Sequence, residues 1–253
     1  MSTAITRAVS PRFDECEITH IERTPIDLNI ARAQHHAYVD ALKQLGCGVI
    51  ELPAEPDLPD SVFVEDTAFI LPEVAVITRP GADSRKPEAQ SIVRALSPLI
   101  ELVHVRAPAT VDGGDVLVLG RNIYVGLSTR SNQEAIKQLN NLLQGYGYIV
   151  TGVETRGCLH LKSAVTRVDD RTLLINRNWV DANRFRNFDL VEVDPSEPSA
   201  ANCLPLGDSI IFPAAFPKTC ARLADRGHKI LTVDVSELAK AEGAVTCCSL
   251  ILP

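Results

Sequence analysis

The chain of 253 residues is 45% hydrophobic and 5% aromatic, with 25 Lys and Arg against 32 Asp and Glu and a formal net charge of −7. That composition supplies a buried core and argues against a nucleic-acid surface, while an acidic protein tolerates a cationic small molecule. No run of about twenty apolar residues occurs, and no basic patch followed by an apolar stretch opens the chain, so neither a membrane span nor a signal peptide is expected and a cytoplasmic location is.

Length alone does not choose between one domain and two, but the pattern along the chain does. Ala4–Val9 reads as a strand, and the apolar spacing from Ala31 to Leu45 predicts a helix ended by Gly46, before the β-rich run Ile50–Pro53. The paired strands Asp66–Leu71 and Ala75–Arg79 then precede a helix over Pro87–Leu99 and the run Val103–Arg106. Asp115–Leu119 and Ile123–Gly126, joined by a turn at Gly120, precede a helix over Asn132–Leu143 and the run Val150–Val153. Ala164–Val168 and Thr172–Ile175 lead to Trp179–Asn187, the weakest helical copy, and to Val191–Asp194. The last helix covers Pro217–Arg226, with Pro217 in its first turn and Gly227 at its end, and Leu231–Asp234 follows.

The β-rich runs therefore recur at roughly 40–50 residues, the mark of a repeat architecture. Each unit is strand, strand, helix, strand and cannot bury both faces of its sheet alone. Val245–Leu252 lacks a downstream partner, so pairing it with Ala4–Val9 would close a ring of blades. The stretches Pro53–Pro59 and Pro195–Pro198 read as loops between units, so residues 1–253 are taken as a single α/β domain.

Five similar segments occupy corresponding places: Ser61–Asp66, Thr110–Asp115, Leu159–Lys162, Ala200–Cys203 and Thr246–Ser249, all read as strand starts. Around a common axis they would bring carboxylates, a histidine, an asparagine and a thiol to one point. Strand alternation puts Cys247 and Ser249 on one face and Thr246 and Cys248 on the other, and likewise gives His160 and Lys162 a shared face. A thiol attacks as thiolate, which needs a partner such as His160. Glu65, Asp66 and Asp112 are costly in a sheltered site unless they face a cation, and a planar guanidinium satisfies carboxylates through forked hydrogen bonds. Arg85 and Arg130, in loops after second strands, suit an α-carboxylate at the other end of the same ligand. Seven cysteines, an odd number without CxxC spacing, read as reduced thiols rather than a disulfide framework or a zinc site.

These motifs, with Pro59–Asp60 and Ile77–Ala82, resemble the dimethylarginine dimethylaminohydrolase family of the amidinotransferase and arginine deiminase superfamily. The resemblance implies a five-bladed α/β propeller of pseudo-fivefold repeated strand-strand-helix-strand units. It implies Cys247 as nucleophile, His160 as general acid and base, and Asp112 as the carboxylate that orients the histidine or holds the guanidinium. By the same resemblance Glu65 and Asp66 bind the guanidinium side, Asp60 the α-amine, Arg85 and Arg130 the α-carboxylate, and the Ala241 carbonyl another part of the substrate. Cys16–Ile26 departs most from the family and corresponds to its mobile lid.

The implied reaction converts Nω-methylated arginine to citrulline and a methylamine without a metal or organic cofactor, and whether zinc inhibits by binding Cys247 and His160, both good zinc ligands, is left open. No nucleic-acid or membrane partner is implied, and the oligomeric state is left open, a homodimer included. An arginine deiminase is the nearest alternative, but its inserted helical region finds no room in these compact repeats. Agmatine deiminase takes a substrate without the carboxylate that Arg85 and Arg130 would hold. A non-catalytic propeller is the alternative of a different class.

Overall fold

The computed structural model describes residues 2–253. Its strands form five sheets of three strands each. In chain order the first sheet combines Thr3–Arg7 and Gly48–Leu52 with Leu250–Leu252 from the far end of the chain. The second holds Ala68–Ile70, Ala75–Ile77 and Leu102–His104, and the third Val116–Leu119, Asn122–Leu127 and Ile149–Glu154. The fourth holds Val165–Arg167, Thr172–Ile175 and Asp189–Glu192, and the fifth Leu204–Leu206, Ser209–Pro213 and Lys229–Val233.

The same pairing recurs in each: the middle strand runs antiparallel to one neighbour and parallel to the other. In the second to fifth sheets a short turn makes the antiparallel step, in the first the two ends of the chain make it, and the parallel step needs a crossover. Helix α1 (Leu28–Gln44), α2 (Ala89–Leu96) and α3 (Gln133–Leu143) provide it for the first three sheets. The Asp27 side chain accepts the N–H groups of Asn29 and Ile30 to start α1, and Asn132 accepts that of Ala135 to start α3. Gly46, at φ 86°, ends the α1 turn in the left-handed region that a side chain disfavours.

The expected ring closure is present: Thr3 pairs with Leu252 on one side and with Gly48 on the other. Middle strands such as Thr172–Ile175 are buried along their length, while third strands such as Gly48–Leu52 lie against solvent. Five hydrophobic clusters fill the spaces between sheets. Ile5 and Ile77 join the first to the second, Val76 and Val125 the second to the third, and Leu117 and Leu173 the third to the fourth. Leu174 and Phe212 join the fourth to the fifth, and Ile211 with Ala4 and Leu42 returns to the first. Each fully buried Ile or Leu contributes about 1.5–3 kcal/mol relative to exposure.

Three expectations need correction. The motif segments are not strands: Pro59–Val62, Val64–Thr67 and Gly113–Asp115 are 3-10 turns, Leu161–Ala164 is one helical turn (α4), and Thr246–Cys248 is a turn. They carry polar side chains that must converge, and a tight turn re-aims successive residues where an extended strand would alternate them. The fourth crossover contains only the 3-10 turn Ala182–Phe185, because an Asn- and Asp-rich segment favours local side-chain capping, here Asp181 accepting from Asn183. Pro87 does not open a long helix. It closes the 3-10 turn Asp83–Glu88, after which α2 starts at Ala89. The last crossover helix, α5 (Pro217–Ala224), begins at Pro217 as read, and a further short helix, α6, covers Ser236–Ala239.

Candidate active site

The turns deliver Asp66, His160 and Cys247 to one enclosed pocket together with Asp60, Phe63, Arg85, Arg130, Leu159, Glu17 and the stretch Ala241–Gly243, while Asp112, fully buried and hydrogen-bonded to His160, does not line it. The free space is about 10 Å³, room for about one water. Gly114 permits the convergence: a Cβ there would lie 2.5 Å from His160 Nδ1 and 2.8 Å from Asp66 Oδ1. His160 immediately precedes α4, so it and Lys162 diverge rather than share a strand face.

His160 lies between two carboxylates, with Nε2 3.2 Å from Asp112 Oδ2 and Nδ1 3.9 Å from Asp66 Oδ1. Asp112 Oδ1 accepts the Gly81 N–H at 2.8 Å, and Asp66 Oδ1 accepts the Gly114 N–H at 2.9 Å. Burial alone would strip the imidazole of its charge, but Asp66, the hydrogen bond to Asp112, and Asp115 together prevail and hold its pKa at about 9. His160 is therefore an imidazolium at neutral pH. Burial pushes Asp66 up, yet His160 and Arg85 outweigh it and hold this carboxyl at about 2. The Cys247 thiol is raised, by burial first and then by Glu65 and Asp66, so it rests protonated. Asp66, Asp112 and His160 present ligand atoms within 4.8 Å of one another, so two carboxylates flank the charged imidazole.

Arg85 and Arg130 were read as loop residues, and both are buried. Arg85 is largely engaged: Nε and Nη2 fork onto Glu88 at 3.0 and 2.8 Å, Nη1 meets Asp66 at 2.5 Å, and Nη2 also reaches the carbonyls of Asp60 and Phe63. Arg130 is freer, with Nη1 3.6 Å from Asp112 Oδ2 and Nη2 donating to Thr19 Oγ1 at 3.0 Å. Asp60 Oδ2 accepts the Glu17 N–H at 3.0 Å, and burial raises its pKa. Ala241 lines the pocket as expected.

Glu65 is not brought into this pocket. Its carboxylate turns to Lys162 Nζ at 2.5 Å and Thr246 Oγ1 at 2.7 Å, lining a separate cavity of about 260 Å³ between the first strands of the sheets. Of the two adjacent cysteines, Cys247 lines the catalytic pocket, and Cys248 turns to the Ala244 carbonyl.

Three carboxylates escaped the sequence reading. Asp115 accepts from Ser128, Ser131 and the Leu161 N–H, anchoring the residue after His160. Glu88 sits three residues after Arg85, a spacing that pairs side chains on one turn and was legible. Glu242, a non-glycine residue at φ 59°, accepts the N–H groups of Thr19 and His20, each at 2.7 Å, and holds that segment over the pocket. No sequence signal marked it.

A buried thiol, a charged histidine and a buried carboxylate in one pocket, on the turns that lead into repeated three-stranded sheets, fit a cysteine enzyme of the guanidino-group-modifying class. The family model described as N,N dimethylarginine dimethylhydrolase, eukaryotic, matches residues 14–251. The dimethylarginine dimethylaminohydrolase of Streptomyces coelicolor is 41% identical over 98% of this chain and 96% of its own. The solved structure of the Pseudomonas aeruginosa enzyme, a cysteine-to-serine variant complexed with citrulline, superposes with a TM-score of 0.94 at 31% identity, covering 99% of this chain and 98% of that one. A second dimethylarginine dimethylaminohydrolase structure, an adduct with S-methyl-L-thiocitrulline, gives 0.95 at 32% identity over the whole of both chains. This chain belongs to the dimethylarginine dimethylaminohydrolase family.

Proposed function

We propose that the chain hydrolyses Nω-methylated arginine to citrulline and a methylamine, with Cys247 as nucleophile, His160 as general acid and base, Asp112 as the carboxylate that orients His160, and Asp66 as the seat of the guanidinium. The observation that carries this reading is the pocket shared by the Cys247 thiol, the His160 imidazolium, Asp66, Asp60 and Arg130, with Asp112 hydrogen-bonded to the imidazole from outside its lining. Cyclic packing of the five sheets supports a five-bladed propeller whose axis passes near the site. The free state of all seven cysteines suits a reducing cytoplasm.

The resting thiol is protonated, and the incoming guanidinium brings a positive charge beside it, which favours loss of that proton to solvent. The thiolate attacks the guanidinium carbon. His160 then gives its proton to the methylated nitrogen, the C–N bond breaks, and the amine departs from a cysteine thiouronium. His160, now neutral, takes a proton from water as the oxygen adds to the same carbon. The C–S bond breaks and leaves citrulline and free Cys247. Arg130, with the one Arg85 N–H not otherwise engaged, meets the α-carboxylate, and Asp60 meets the α-amine. Segment Glu17–His20 lies over this end, so substrate entry requires it to lift from Asp60, Arg130 and Glu242.

Citrulline release from asymmetric dimethylarginine by the purified protein, abolished in Cys247→Ser, is the expected result. Unchanged release in that variant would overturn the assignment.

A further inference from the structure

Asn202 lies in an irregular segment before the fifth sheet, is 4% exposed, and is absent from the lining of the catalytic pocket. Its carboxamide is nevertheless fully used. Nδ2 donates to the Lys162 backbone oxygen and to Thr246 Oγ1, both at 3.0 Å, and Oδ1 accepts the Thr246 N–H at 3.1 Å. A backbone carbonyl only accepts and a backbone N–H only donates, so one orientation of the amide satisfies both. Aspartate, serine or alanine cannot reproduce the set.

The two backbone partners are what make this contact consequential. Lys162 follows His160 by two residues in the α4 turn, and Thr246 directly precedes Cys247. Between those turns the chain runs through two sheets, so nothing local fixes their separation. The bridge is also closed on its other side. Thr246 Oγ1 donates to Glu65 Oε2 at 2.7 Å, Lys162 Nζ donates to Glu65 Oε1 at 2.5 Å, and the Glu65 N–H donates to the Cys247 carbonyl at 3.1 Å. Asn202, Thr246, Glu65 and Lys162 thus form a ring of hydrogen bonds behind the pocket floor. Within that ring only Asn202 holds backbone on both sides.

We propose, resting on the roles given to Cys247 and His160 above, that Asn202 is a positioning residue that sets the distance between nucleophile and acid. Its effect falls on bond making and breaking, where both groups act on one carbon, and not on substrate capture, which uses Asp60, Arg130 and the overlying segment.

The test measures kcat, KM and the pH profile of kcat for Asn202→Ala and Asn202→Asp in the full chain, normalised to carboxamidomethylation of the Cys247 peptide by iodoacetamide, read by mass spectrometry in a Cys248→Ser background. Asn202→Asp keeps the size and the Thr246 N–H acceptor and presents an oxygen to the Lys162 carbonyl. Misplacement of a reacting group by about 1 Å costs about a hundredfold. The expected result is a fall in kcat per thiol of about thirtyfold in Asn202→Ala and about tenfold in Asn202→Asp, with KM changed less than about threefold. The basic limb of the profile should move to lower pH as His160 drifts from its carboxylates. A purely structural role would lower the number of reactive thiols and leave kcat per thiol and the pH limb unchanged, which would overturn the proposal. If Asn202→Ala does not fold, Asn202→Asp decides alone. Citrulline release by Cys247→Ser would fault the site assignment and the proposal with it, whereas a dead Cys247→Ser beside an unimpaired Asn202→Asp would overturn the proposal only.

Discussion

Asp112 Oδ2 lies 3.2 Å from His160 Nε2, and the carboxylate is fully buried. The contact favours the imidazolium and contributes to the rise of His160 to about 9. Because folding raises this pKa above the ordinary 6.5, the associated stability is complete below about pH 6.5 and is lost as pH rises through about 9. Asp112→Asn should shrink that loss and lower the basic limb of kcat. Urea unfolding at pH 6 and pH 9.5, with the pH–rate profile, checks both. An unchanged difference between the two pH values would show that Asp66 and Asp115 hold the proton without Asp112.

Cys247 and Cys248 face different surroundings, and substitution should separate them. Cys247→Ser should lose turnover altogether. Cys248→Ser should keep activity within about tenfold, since its change is a small one in the core. Mass spectrometry of a reaction quenched in acid should place the adduct on the Cys247 peptide. An adduct on the Cys248 sulfur would reverse the assignment.

The two arginines should fail in different ways. Arg85 compensates Asp66 and Glu88, all three buried, so Arg85→Ala leaves buried carboxylates unpaired and should cost about 3–5 kcal/mol of stability. Arg130→Ala removes a contact to the substrate α-carboxylate of about 1.5–3 kcal/mol, which is about a ten- to hundredfold rise in KM. Thermal melts and KM values for both variants test the distinction. Equal KM for methylarginine and for a decarboxylated analogue, in the native chain, would remove the carboxylate contact from Arg130.

Repetition made the fold legible. Helices at Ala31, Asn132 and Pro217 and the closing pair Thr3–Leu252 follow from apolar periodicity, Gly and Pro punctuation, and the missing partner at the C-terminal end. Local geometry at the site was less legible, because the same polar residues that must converge are poor reporters of backbone state. Asp66, Asp112 and His160 were recovered from residue type and equivalent position, although each sits on a turn and not on the strand assumed. The choice of Cys247 over Cys248 was reached through an alternation that is not there. The direction of Glu65 was not legible, because sequence gives no direction to a carboxylate beside another, and Lys162, drawn to it from α4, decides which way it turns. Glu242 stayed hidden since a positive φ at a non-glycine residue leaves no mark in sequence.

Substrate choice tests the geometry most directly. Asp112 spends its two oxygens on the Gly81 N–H and on His160, with Arg130 beside them, whereas Asp66 is bound by the Gly114 N–H on one oxygen and Arg85 on the other. The remaining lone pairs of Asp66, the carboxylate that lines the pocket, suit one unsubstituted terminal nitrogen and the chain nitrogen of the guanidinium. The methylated nitrogen must then face His160, which has the proton to release it. Monomethylarginine and asymmetric dimethylarginine both meet this requirement, for each keeps one terminal nitrogen free of methyl groups. Symmetric dimethylarginine places a methyl on each terminal nitrogen, so Asp66 loses a donor and meets a methyl group. An unsatisfied buried acceptor costs about 1–3 kcal/mol, and the steric conflict adds to it, which predicts at least about a tenfold to hundredfold disadvantage in kcat/KM. Citrulline assays under identical conditions should therefore show turnover of the monomethyl and asymmetric dimethyl forms, with the symmetric isomer near background. Preferred turnover of free arginine would identify a deiminase-like site, and comparable turnover of the symmetric isomer would mean that the guanidinium is not seated on Asp66.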